Sequence, residues 1–169
     1  MEEPDLTPLI LDIIREHLES ATPADWHAYA DGSNYSDNQP GLKWLLDQPS
    51  LELATALTIY WNLGAAWYVA FEHVEQVDDA ETFEMLRLIE TRVQNGFYQG
   101  RSIWFDPMQS ESARPDDYPD QPVNRPVPPA MLQVVNGTEY YDRELVQSEY
   151  DDGLPLHVSQ RIHDLFDSL

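Results

Sequence analysis

The chain has 169 residues, 31 of them acidic against nine basic, for a formal net charge of −22. Hydrophobic residues make up 42% and five are tryptophan, enough apolar surface to offset the chain entropy that keeps acidic disordered sequences unfolded. There is no cysteine, which excludes disulfides and thiolate chemistry, and a length in this range predicts one domain over 1–169 with its own core.

Thr7-Pro8 is a helix start, and Ile10, Ile13, Ile14 and Leu18 then share one face of an amphipathic helix predicted over 8–19. Thr22-Pro23-Ala24-Asp25 repeats the device as a capping box, opening a short helix through Trp26, Tyr29 and Ala30 that ends near Gly32. Asn34 and Asp37 are the residue types that bond back to local backbone in a turn. Gly41 to Asp47 follows as a short helix stopped by Pro49. Ser50 is then the expected cap of a nearly all-apolar, hence central, helix over 51–63, with Gly64 interrupting it before 65–74.

Asp78-Asp79-Ala80-Glu81 opens another helix, with Phe83, Leu86, Ile89 and Val93 inward and Gly96 at its end. Ser102 to Phe105 is a strand candidate. Seven of the thirteen prolines lie between Pro107 and Pro129, a segment (106–130) that is either a flexible connector or an ordered strap held by Tyr118, Val123 and Val127. Asn136-Gly137 predicts a hairpin between 131–135 and 138–141, and Leu154-Pro155 starts a last helix with the stripe Val158, Ile162, Leu165, Phe166 and Leu169. The fold class is therefore mainly α: a compact helical core over 7–98, the Pro-rich strap, then a small β hairpin and a terminal helix within 131–169.

No catalytic constellation stands out. His17, His27, His73, His157 and His163 include no His-Glu-x-x-His spacing, and the adjacent pairs Glu72-His73 and His163-Asp164 point about 100° apart on a helix. Asp31 to Leu42 imitates a calcium loop but puts Tyr35 at a ligand position, Ser36 at the turn glycine and Leu42 at the bidentate glutamate. No catalytic residue, metal ligand or cofactor is assigned.

Two acid runs are better candidates for contact. Glu72, Glu75, Asp78, Asp79, Glu81 and Glu84 have no base among them. Glu139, Asp142, Glu144, Glu149, Asp151 and Asp152 have only Arg143, and Tyr140, Tyr141 and Tyr150 beside them are the aromatic type that anchors interfaces. Such fields suit a basic protein partner. They disfavour nucleic acid and anionic membrane, since both need Lys and Arg that nine dispersed bases scarcely provide. The longest apolar run, 56–71, is shorter than the roughly 20 residues of a spanning helix, and no signal segment opens the sequence, so the cytoplasm is the expected compartment.

Asn34-Tyr35-Ser36-Asp37, the short helix ending at Pro49 and Leu53-Ala54-Thr55-Ala56-Leu57 resemble a bacterial family of domains of unknown function. Its members carry an Asn-Trp-x-Asp-like element and a Leu-Gly-Thr-Ala-Leu element; Tyr35 and Ala54 are this chain's departures. The similarity runs from about Pro23 to Tyr98. Domains of this kind resemble small immunity proteins encoded beside bacterial toxins, which implies an acidic cytoplasmic protein that neutralises a cognate effector toxin, for example a nuclease, and is not an enzyme. Two alternatives stay open: a small metal-dependent or hydrolytic enzyme using His27 or His73, and an interaction scaffold that binds through its Pro-rich strap.

Overall fold

In a computed structural model that describes residues 2–169, the α-helices in chain order are α1 (Thr7–Ser20), α2 (Pro23–Gly32), α3 (Gln39–Leu46), α4 (Leu53–Asn62), α5 (Ala65–Tyr68), α6 (Ala80–Gln94), α7 (Arg143–Gln147) and α8 (Leu156–Asp167). Strands β1 (Tyr150–Asp151) and β2 (Leu154–Pro155) precede α8. The protein is mainly α with one small antiparallel hairpin, as the sequence implies. Its contacts separate into two units, Met1–Asp47 with Asp142–Leu169, and Gln48–Tyr141.

In the first unit, α1 buries Ile13, Ile14 and Leu18 and packs against α3 and α8. The capping box opening α2 forms as expected: Asp25 N donates to Thr22 Oγ1 (3.2 Å) while Thr22 N donates to Asp25 Oδ2 (3.1 Å). Trp26 through Ala30 are all buried, so α2 is central to this unit; Trp26 Nε1 donates to Leu18 O at 2.8 Å and its ring meets Trp44 edge-on at 5.8 Å. The turn before α3 is closed by Ser36 N donating to Asn34 Oδ1 and Asn34 Nδ2 donating to Asp37 Oδ2.

The hairpin lies elsewhere than predicted. Tyr150 pairs with Pro155 and Asp151 with Leu154, and the two-residue loop is Asp152-Gly153, both at positive φ (52° and 77°), the signature of a type I′ turn. Asn136-Gly137 makes no hairpin. Its glycine answers a different demand, since a Cβ there would lie 2.2 Å from Ser102 O. The segment around it forms only isolated bridges, Ile103 with Glu139 and Phe105 with Val135, which is also all that becomes of the strand candidate at 102–105. The apolar stripe of α8 is likewise less buried than its spacing implies: Val158 is in the core, whereas Phe166 (55%) and Leu169 (69%) are exposed.

In the second unit, every residue of α4 from Leu53 to Trp61 is buried, matching its all-apolar surface. Ser50 is not its cap. Glu52 occupies that position with extended backbone, and its carboxylate accepts from Ser102 N at 3.0 Å instead. Gly64 (φ 94°) ends the helix, and α5 is a single turn rather than the predicted long segment, followed by a 3₁₀ turn at Val74–Gln76. Helix α6 packs on α4 and buries Phe83, Leu86, Ile89 and Val93, and Asp79 caps it by accepting from Thr82 N (3.0 Å).

The Pro-rich segment is an ordered strap. Asn124 N and Arg125 N both donate to Val69 O (2.9 and 2.8 Å), Gln121 Nε2 donates to Trp67 O and Asn124 Nδ2 to Ala70 O. Tyr118 meets Trp67 edge-on at 5.4 Å. Carbonyls of α5 and the residues just after it thus receive two backbone N–H groups and two side-chain amides of the strap.

Candidate functional site

The first acid run belongs to the second unit and is exposed at each of its six acids. Glu72 precedes the 3₁₀ turn and Glu75 lies within it, Asp78 and Asp79 lead into α6, and Glu81 and Glu84 lie in its first turns; all six are exposed. Asp79 also holds Thr82 Oγ1 at 2.6 Å. The helix dipole favours carboxylates at this end of α6. Their field reaches Tyr68, whose phenol is held above its ordinary range by burial first and then by the charges of Asp79 and Asp78.

The second run is divided. Glu139, Tyr140 and Tyr141 belong to the second unit, where Tyr140 is 76% exposed and its ring lies 6.0 Å from that of Trp104. The remainder belongs to the first unit, where several of its acids have internal work. Asp142 caps α7 by accepting from Leu145 N, and Asp152 Oδ1 accepts from Asn34 N at 2.6 Å. Asp151 accepts from Ser159 Oγ (2.6 Å) and contacts His163 Nε2 (3.2 Å), which together hold its carboxyl below the usual range. Glu144 and Glu149 are exposed.

Tyr150 leads to a feature that the sequence does not reveal. Its hydroxyl donates to Asp25 Oδ1 at 2.8 Å, across 125 residues, inside a cleft of about 530 Å³ in the first unit that is also lined by His17, Glu149, Leu156 and His157. None of the lining residues is Lys or Arg. Burial raises the cost of charging Asp25, but the bonds from Thr22 and Tyr150 outweigh it and hold the carboxyl below its ordinary range. Tyr150 is pushed up to about 12 by burial, by its bond to Asp25 and by the nearby charges of Asp25 and Glu149. His17 is pushed below its usual range by burial, with Asp25 opposing and His157 reinforcing; its Nε2 is buried and has no hydrogen-bond partner. At neutral pH the cleft thus presents the neutral imidazole of His17, the neutral phenol of Tyr150 and the carboxylate of Asp25. These residues come from α1, α2, β1 and α8, so no local motif marks them.

The two histidines considered for enzymatic chemistry differ sharply. His27 is 3% exposed in α2 and desolvation pushes it down to about 4, whereas His73 is exposed, with Glu72 Oε2 at 3.9 Å. Among the described residues, no group of three or more His, Asp or Glu is placed to hold a metal ion, and no helix is long and apolar enough to cross a membrane.

No curated protein and no solved structure matches the chain. The match that exists is to a family model over residues 21–94, from the capping box of α2 to the end of α6, the stretch that holds the Asn34 turn and the α4 element. That family is described as Domain of unknown function (DUF4274), a match consistent with the expected resemblance to a domain-of-unknown-function family.

Proposed function

We propose that this chain is an acidic binding protein whose partner is a basic protein, and in its most specific form a cytoplasmic immunity protein that neutralises a cognate bacterial effector toxin, such as a nuclease, by covering its cationic active surface. The observation that carries this reading is the exposed run Glu72, Glu75, Asp78, Asp79, Glu81 and Glu84, six carboxylates with no Lys or Arg between them on a chain of net charge −22. Such a field accelerates encounter with a cationic surface towards roughly 10⁸–10⁹ M⁻¹s⁻¹ at low salt. The exposed Tyr140 beside Trp104 supplies the aromatic type that interface centres favour.

The test is co-purification with the protein encoded beside it, followed by association kinetics across a salt series. A complex whose association slows steeply with salt supports the reading; a complex indifferent to salt, or none, overturns it.

A further inference from the structure

We infer that the His17, Asp25, Glu149, Tyr150 and His157 cleft of the first unit is a receptor for one cationic side chain of the basic partner, arginine ahead of lysine. This rests on the binding reading above and extends it to a second place on the protein.

The cleft, about 530 Å³, falls within the range of roughly 300–1,000 Å³ usual for sites that enclose a small ligand. Its chemistry selects the charge of the occupant. Asp25 and Glu149 contribute carboxyl groups and no lining residue is Lys or Arg, so the cleft favours a cation over an anion. A hard metal ion is a poor fit, because no metal-holding group of three occurs among the described residues and such ions demand about six oxygen ligands. An organic cation needs fewer acceptors and tolerates imidazole and phenol.

The polar groups are also arranged to receive donors. Asp25 already accepts from Thr22 N and Thr22 Oγ1 on Oδ2, and from Tyr150 OH on Oδ1. A carboxylate offers about four lone-pair positions, so acceptor capacity is left on Oδ1 while the carboxylate is locked in orientation. His17 also lines the cleft, and burial keeps its ring neutral rather than repulsive to a cation. Tyr150 and His157 bring aromatic rings to the lining, a residue type that suits a planar guanidinium, and Pro155 and Leu156 bring apolar side chains that suit its methylene stem. Arginine is preferred because its fork of donors is planar and less strongly hydrated than an ammonium.

The experiment titrates the full chain with Nα-acetyl-arginine methylamide, its lysine analogue and its neutral isostere Nα-acetyl-citrulline methylamide, following the ring resonances of His17, His157 and Tyr150 by NMR. The arginine probe is expected to shift all three saturably, the lysine probe more weakly and the citrulline probe not at all. Glu149→Gln, an exposed change that spares the fold, should weaken the arginine probe about threefold, and Ala21→Phe, which fills the cleft, should abolish its binding with circular dichroism unchanged. Equal responses to arginine and citrulline, or arginine shifts confined to residues 72–84, overturn the assignment. The two readings fail separately: arginine in the cleft with no basic partner found leaves the receptor standing, and a salt-sensitive partner with the cleft silent removes the receptor alone.

Discussion

Glu90 and Arg125, 35 residues apart in sequence, form the ion pair that ties the strap to α6: Arg125 Nη1 donates to Glu90 Oε1 at 2.7 Å and to Oε2 at 3.0 Å. Glu90 is only 2% exposed and also receives Arg87 Nη1, so one buried carboxylate is shared by two guanidiniums. Its placement also raises the pKa of Tyr60, after burial.

Arg125→Gln leaves Glu90 with Arg87 as its remaining cation and should cost about 1–3 kcal/mol, while Glu90→Ala strands two guanidiniums and should cost about 3–5 kcal/mol. In Arg125→Gln, amide exchange should quicken first at Asn124 and Arg125, whose N–H groups donate to Val69 O. Exchange unchanged at those two amides would show that the ion pair does not hold the strap.

Gly137→Ala should destabilise far more than Gly96→Ala. At Gly137 the new Cβ would meet Ser102 O at 2.2 Å and Ile103 C at 2.5 Å, backbone atoms that cannot step aside. Gly96 has open space around it, and only its φ of 70° resists substitution, at about 1 kcal/mol. Urea midpoints of the two variants measure the contrast, and equal midpoints would refute it.

His27 makes stability depend on pH. Its folded pKa, about 4, is depressed by desolvation below the ordinary 6.5, so between those values the unfolded chain binds more protons than the folded one. Stability therefore falls as pH drops from about 6.5 towards 4, by an amount on the order of 3 kcal/mol. His17 adds a change of the same sign. His27→Gln should flatten the difference curve over this window in urea titrations at stepped pH; a parallel curve would exclude His27 as its origin.

Replacing Glu75, Asp78 and Glu81 with Lys should leave the thermal midpoint within a few degrees, because all three are exposed and the capping acid Asp79 is retained. The same variant should slow association with a basic partner by tenfold or more at low salt, and the two proteins should converge as salt rises. Stopped-flow mixing measures both.

How much of this was legible beforehand depends on the range of the interaction. The capping box at Thr22 and Asp25, the Asp79 cap, the inward face of α6 and the burial of α4 all follow from neighbours within one or two helical turns, and each is present. So is the exposed acid run, since carboxylates before a helix gain from its dipole wherever the helix lies. Asn136-Gly137 and Asp152-Gly153 have the same local chemistry, yet only the second becomes a turn. The first is claimed by backbone at Ser102 and Ile103, a constraint that no window around residue 137 contains. The strap, the shared carboxylate of Glu90 and the cleft joining His17, Asp25 and Tyr150 were decided by tertiary structure alone, because each rests on at least one contact across 35 or more residues, Arg125 to Glu90 across 35 and Tyr150 to Asp25 across 125, fixed by packing and not by chain connectivity.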